Sequence, residues 1–154
     1  MTLVIAADRI HSSAVAFEVE GQSAGVLILG RSGSGKSELA LELMAIGAVL
    51  VSDDQTLLRR DGASIIAQAP PTIRGLIEMR GLGILRARVL DTAKLVAVVN
   101  LDETEAQRLP ERVFADVLGV QLPCLRNCAS SAFPAGLKQY ILSQVLQYGQ
   151  GAGP

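Results

Sequence analysis

The eight residues Gly30-Arg-Ser-Gly-Ser-Gly35-Lys36-Ser37 constrain this chain more than any other stretch, because they fill every fixed position of the pattern GxxxxGK[ST]. Glycines allow successive backbone N–H groups to converge on one point, and a helix opening at Lys36 adds unpaired N–H groups and the positive end of its dipole. Such a cradle takes phosphate oxygens, with the lysine reaching the β/γ-phosphates and the serine hydroxyl placed for Mg²⁺. The flanks suit that arrangement. Gly25-Val-Leu-Ile-Leu29 is a continuous apolar run, as in a strand covered on both faces. From Lys36 to Ile46, Leu39, Leu43 and Ile46 fall on one helical face, and Gly47 is a natural stop. The expectation is a strand, loop and helix that bind a purine nucleoside triphosphate through Gly30, Arg31, Ser32, Gly33, Ser34, Gly35, Lys36 and Ser37.

Composition narrows the rest. A chain of 154 residues is one domain by the usual ratio, and 49% hydrophobic with 19% charged residues excludes a disordered chain. A formal net charge of −1 and 3% aromatics leave no electrostatic footprint for nucleic acid or an anionic membrane surface. No stretch is apolar enough to span a bilayer, and the N-terminus lacks the basic start and apolar core of a secretory signal, so a cytoplasmic protein is expected. Cys124 and Cys128 are four apart and the single histidine is distant, which does not make a zinc site; both are read as reduced core thiols.

Along the chain, Ala14–Val19, Gly25–Leu29, Ala48–Val51, Thr56–Arg59, Ser64–Ala67, Leu76–Met79 and Leu95–Val99 read as strands. Helices are expected at Lys36–Ile46, Glu111–Leu118 and Leu137–Tyr148, the last with Leu137, Ile141, Val145 and Tyr148 along one side. Residues 1–148 form the single domain, and Gly149–Pro154 is expected to fray. The fold class is α/β, with a mostly β core flanked by helices.

Phosphoryl chemistry at such a loop needs an acidic residue at the end of an apolar strand. Two positions qualify. Asp53-Asp54 ends Ala48–Val51, and Asp102 follows Leu95–Val99. If the first of these strands runs with Gly25–Leu29, its carboxylates meet the loop at the same edge, where mutual repulsion would suit one of them to accept a proton. Read by pattern alone, the Asp pair is also compatible with a solvated turn. A GTPase is set aside, since Asn100 is followed by Leu101 and no NKxD element is present. In an extended segment Glu78 and Arg80 share a face, with Arg74 further back, a pair that suits either a second metal position or a surface ion pair.

Taken together and in order, three stretches resemble the C-terminal catalytic domain of the HPr kinase/phosphorylases. They are Gly30-Arg-Ser-Gly-Ser-Gly-Lys-Ser-Glu38 with Leu39-Ala-Leu-Glu-Leu43, Ala48-Val-Leu-Val-Ser-Asp53-Asp54, and Ile77-Glu78-Met-Arg80-Gly-Leu-Gly-Ile84. The resemblance runs from about His11 to Tyr148 and implies a phosphate-loop kinase fold akin to the phosphoenolpyruvate carboxykinases. It implies that Lys36 binds the phosphates of ATP, that Ser37 and Glu78 hold Mg²⁺, and that Asp53-Asp54, with Asp54 favoured, deprotonates a serine of an HPr-type phosphocarrier. His11, Arg80 and Arg108 match further catalytic positions of the family. The implied role is regulation of carbon and nitrogen metabolism through the phosphotransferase system, in a hexamer of the family type. Set beside the family, the chain is expected to be a short form without its N-terminal domain. Leu122-Pro-Cys-Leu-Arg126-Asn127 keeps only a trace of the loop tied to phosphorolysis, so within a kinase/phosphorylase reading the kinase reaction is a firmer expectation than the reverse phosphorolysis. The competing readings are a small-molecule kinase and a nucleotide-binding sensor without chemistry.

Overall fold

The structure is a computed structural model that describes residues 2–149, with side chains through residue 146. The strands are β1 (Leu3–Ile5), β2 (Arg9–His11), β3 (Ser13–Val19), β4 (Gln22–Leu29), β5 (Val49–Ser52), β6 (Gln55–Asp61), β7 (Ser64–Gln68), β8 (Leu76–Met79), β9 (Gly83–Arg86), β10 (Ala93–Thr104), β11 (Phe114–Val117) and β12 (Val120–Asn127). Two helices, α1 (Lys36–Ala45) and α2 (Phe133–Gly149), and one 3₁₀ turn at Pro71–Ile73 complete the regular elements among the described residues.

Ten strands form one mixed sheet in the order β1-β11-β12-β10-β4-β3-β5, with β7 branching from β10 and carrying β6 and β2; β8 and β9 form a separate hairpin. The pleat decides what each face buries. Val26 and Ile28 of β4 join Leu39 and Leu43 of α1 and Leu137, Ile141 and Val145 of α2 in one core. Leu27 and Leu29 point the other way, into a second core with Leu58, Ile65, Leu95 and Val117. Covering both faces in this way leaves no polar face on β4, which accounts for its unbroken apolar run. No described helix is long and apolar enough to cross a membrane.

Strand direction brings the site together. β10 lies parallel to β4, while β3 is antiparallel both to β4 and to β5. The C-terminal ends of β4, β5 and β10 and the start of β3 therefore share one edge. The expected common direction of β4 and β5 holds, with β3 inserted between them.

Three sequence expectations are corrected. Glu111–Leu118 is not helical: residues 105–113 are irregular and Phe114–Val117 is a strand whose Ala115 and Val117 are buried. Leu118 (φ 49°) and Gly119 (φ 87°) make the two-residue turn of a β11–β12 hairpin, a turn normally announced by Asn-Gly or Asp-Gly. Cys128 is exposed and only Cys124, half-buried on β12, approaches the core; both are free thiols. α2 begins four residues before its expected start, at Phe133, with Pro134 in the first turn, where the N–H that proline lacks would have had no partner within the helix. Tyr148 and the expected fraying at Gly149–Pro154 lie outside the residues described with side chains.

Candidate active site

At the shared edge the loop leaves β4 and enters α1. Gly33 (φ 84°) and Gly35 (φ 101°) occupy the left-handed region that a side chain disfavours. A Cβ at Gly30 would collide with Ser34 Oγ and come within 3.3 Å of Leu101 Cβ. Gly35 caps α1 without any side-chain bond, so no side chain competes for the N–H groups of the first turn. Lys36 is buried, and its Nζ donates to Gly30 O (2.6 Å) and Arg31 O (3.0 Å), folding the ammonium back across the loop. Ser34 Oγ is buried among these groups with no hydrogen-bond partner among the described residues.

A cavity of about 440 Å³ opens beside the loop. His11, Gly33, Lys36, Ser37, Asp53, Asp54, Glu78 and Arg80 all line it. His11 and Arg80, 69 positions apart in sequence, are therefore gathered with the residues between them by β2, the loop, the end of β5 and the β8 strand with its turn. Asp53 is the buried node, 5% exposed. Its Oδ1 accepts from Ser13 Oγ (2.6 Å) and Ser37 Oγ (2.8 Å), and its Oδ2 from the Glu78 N–H (3.2 Å). Three donors offset the desolvation of the carboxylate.

Asp54 has the opposite environment. Its side chain is 68% exposed and its Oδ1 lies 3.2 Å from His11 Nε2. The Gln55 N–H bonds back to Asp53 O (2.9 Å) across Asp54, whose φ is 74°. That is the three-residue γ-turn, a strained conformation for a residue with a Cβ. The turn aims two adjacent carboxylates in different directions, one buried at the cavity wall and one open to solvent.

The donor set suits a small hard cation. Ser37 Oγ and the Asp53 carboxylate face each other, and Glu78 lines the same wall. No group of three or more His, Cys, Asp or Glu able to hold a metal occurs among the described residues. Mg²⁺ typically takes one or two protein oxygens and completes its shell with phosphates and water, so a sparse site fits it.

Other expected residues fall elsewhere. Asp102 does not line the cavity; its carboxylate accepts the Arg31 N–H (3.1 and 3.2 Å) and sits 3.5 Å from Arg31 Nε. Arg31 thus shows its guanidinium to solvent and its peptide to Asp102. Arg74 pairs with Asp91. Arg108 is exposed in the irregular 105–113 segment and lines a separate groove of about 720 Å³ between that segment, β12 and α2. Arg126 is held by Glu103 (3.0 Å) on the same flank. Ser13 went unnoticed in the sequence, where a serine before an apolar strand carries no signal; only the β3–β5 pairing places it against Asp53.

Residues 5–125 match the family of the HPr Serine kinase C-terminal domain. The chain is 36% identical over 132 residues to the HPr kinase/phosphorylase of Caldicellulosiruptor bescii, covering 77% of this chain and 42% of that protein. Against the HPr kinase/phosphorylase of Cupriavidus metallidurans it is 40% identical over 130 residues, covering 77% and 40%. It thus spans about two fifths of the length of the curated relatives it matches. The solved structure of the Hpr(Ser) kinase/phosphatase from Coxiella burnetii superposes with a TM-score of 0.73 at 20% identity, over 93% of this chain and 99% of that one, and so shares its fold. With the phosphate loop, the Asp53-Asp54 turn and the Glu78–Arg80 segment all inside the matched residues, the chain belongs to the HPr serine kinase C-terminal domain family.

Proposed function

We propose that this chain carries the phosphoryl-transfer centre of an ATP- and Mg²⁺-dependent kinase that acts on a serine of an HPr-type phosphocarrier protein. The observation that carries the reading is the division between the two aspartates. Asp53 is buried with its lone pairs engaged by Ser13, Ser37 and Glu78, which suits holding and not proton transfer. Asp54 is open to the cavity with His11 as its neighbour, which suits a base that must meet an incoming hydroxyl. The names of the relatives support the carrier as acceptor.

In this reading the loop and Lys36 hold the β- and γ-phosphates, and the ammonium exchanges its contacts with Gly30 O and Arg31 O for phosphate oxygens. Ser37 and Asp53, with Glu78 on the same wall, would hold Mg²⁺, which when bound neutralises charge on the phosphates. The acceptor serine oxygen bonds to the γ-phosphorus as the bond from that phosphorus to the bridging oxygen breaks, and the hydroxyl proton passes to Asp54 Oδ. His11 keeps the Asp54 carboxylate oriented, and Arg80 supplies positive charge on the same wall. Arg108, in its separate groove, would have to be brought in from outside the cavity. The setting for such an enzyme is the cytoplasm, where carrier and ATP meet, and a homo-oligomer belongs to the same reading.

The test is mass spectrometry of a purified HPr-type carrier after incubation with the protein, Mg²⁺ and ATP. One phosphoserine, absent with Lys36→Ala, is the expected result. An unmodified carrier despite measurable ATP binding overturns the assignment in favour of a small-molecule kinase or a silent sensor.

A further inference from the structure

A second groove adjoins the loop on the opposite flank. It has a volume of about 200 Å³ and runs between α1, the end of β12 and the start of α2. Gly35 and Glu38 line both this groove and the 440 Å³ cavity, so the turn from loop into helix is the wall between them. We propose that this groove is the subsite for the base and ribose of the nucleotide, with Asn127 and Phe133 as the residues that recognise them; the proposal rests on the nucleotide-binding reading above.

The first argument is geometric. In-line transfer puts the acceptor and the departing nucleoside diphosphate on opposite sides of the γ-phosphorus. Asp54, His11 and Arg80 occupy the β3–β5 flank of β4, so the acceptor enters there. The nucleoside must then leave the loop on the β10–β12 flank, where Asn127 ends β12 and the second groove begins.

The second argument is charge. No Lys or Arg lines the small groove, whereas Glu38 and Glu42 do. Such a lining repels phosphate and offers acceptors to ribose hydroxyls and to a base amine. Asn127 adds both a donor and an acceptor, and Phe133, packed on the helix-side core, is a partly exposed apolar surface for a base.

Size is the third. Pockets that enclose a whole ligand run to roughly 300–1,000 Å³. A groove of about 200 Å³ is too small for a complete nucleotide but continuous with a loop that already takes the phosphates. The larger groove of about 720 Å³ shares no residue with the phosphate loop and meets the small groove only at its far side, through Cys128, Ser130 and Phe133, so the small groove is the part next to the phosphates.

The experiment is calorimetric titration of the protein with ADP and, separately, with tripolyphosphate, both with Mg²⁺. Asn127→Ala removes the amide, and Ser131→Trp fills the groove from an exposed position without opening the core, which Phe133→Ala would risk. The expected result is at least a tenfold weaker Kd for ADP in both variants, with tripolyphosphate binding unchanged. Alkylation of exposed Cys128, which lines the groove, should also be slowed by ADP and not by tripolyphosphate. Unchanged ADP affinity in both variants overturns the subsite, as does equal weakening of both ligands, which would mean that the loop itself was disturbed. If the unaltered protein binds neither ligand, it is the nucleotide reading that fails.

Discussion

The two flanks of β4 each bring a carboxylate to the phosphate loop, and they treat it differently. On the β3–β5 side Asp53 is buried and accepts from two hydroxyls and a backbone N–H. On the β10–β12 side Asp102 is exposed and clasps one peptide N–H and a solvent-facing guanidinium. Both stand at the end of an apolar strand on one edge of the sheet, so sequence position does not separate them. Burial does: a carboxylate removed from water is kept only where several donors hold it, and those donors fix its position. The β3–β5 flank thus holds its carboxylate from three sides, while the β10–β12 flank tethers the loop and leaves room beside it.

The largest effect expected from breaking this comparison is at Asp53. Asp53→Ala leaves the buried Ser13 hydroxyl, the half-buried Ser37 hydroxyl and the Glu78 N–H without their acceptor, which should lower the unfolding free energy by roughly 3 kcal/mol, as hydrogen bonds to charged groups do. Urea denaturation reads the change, and transfer activity should be lost with it. A loss under about 1 kcal/mol would show that the node does not hold the flank together. Next comes Asp54→Asn. The side chain is exposed and bonded only to His11 among the contacts described, so stability should move by less than about 0.5 kcal/mol. Phosphoryl transfer should nevertheless fall about 10²–10⁴-fold with ADP binding retained, as removal of a general base does. Parallel loss of binding and turnover would refute the division of labour between the neighbours.

A smaller effect is expected on the other flank. Asp102→Ala frees the Arg31 peptide, whose carbonyl also accepts from Lys36 and from the Ser34 N–H. One hydrogen bond of about 1 kcal/mol corresponds to a roughly fivefold rise in the nucleotide KM, with kcat little changed. Asp102→Asn keeps an acceptor for that N–H and should recover most of the affinity. A fall in kcat with KM unchanged would instead place Asp102 in the reaction.

What could be read from the sequence follows from this contrast. The loop, α1 and the strands β4 and β5 are local patterns, and each lies where periodicity and glycines place it. The pairing of Ser37 with Asp53 was half legible: the motif and the Asp pair located both ends, but which aspartate turns inward depends on the γ-turn at Asp54. Asp102 was legible as a carboxylate at a strand end. Its partner was not, because Arg31 is 71 positions away and only the parallel β4–β10 register brings the two together. The β11–β12 hairpin was hidden by its turn, since leucine at φ 49° is a residue that composition would never nominate for that position.

The smallest effect tests the electrostatics of the β10–β12 flank alone. Cys124 is half-buried on β12, and burial holds its thiol above the ordinary range; Glu103 raises it further, while Arg126 pulls it down. Glu103 and Arg126 also pair with each other at 3.0 Å, so each limits the other's influence on the sulfur. Glu103→Gln removes a negative charge that disfavours the thiolate and frees Arg126, so the thiolate fraction at pH 8 should increase. Arg126→Gln should decrease it. Alkylation read by mass spectrometry, with exposed Cys128 as the internal standard, should therefore run faster in the first variant and slower in the second, by a few-fold at most because both charges are partly exposed to water. The same direction in both would mean that packing around β12, and not the ion pair, sets the thiol. The flank would then differ from β3–β5 in rigidity as well as in burial.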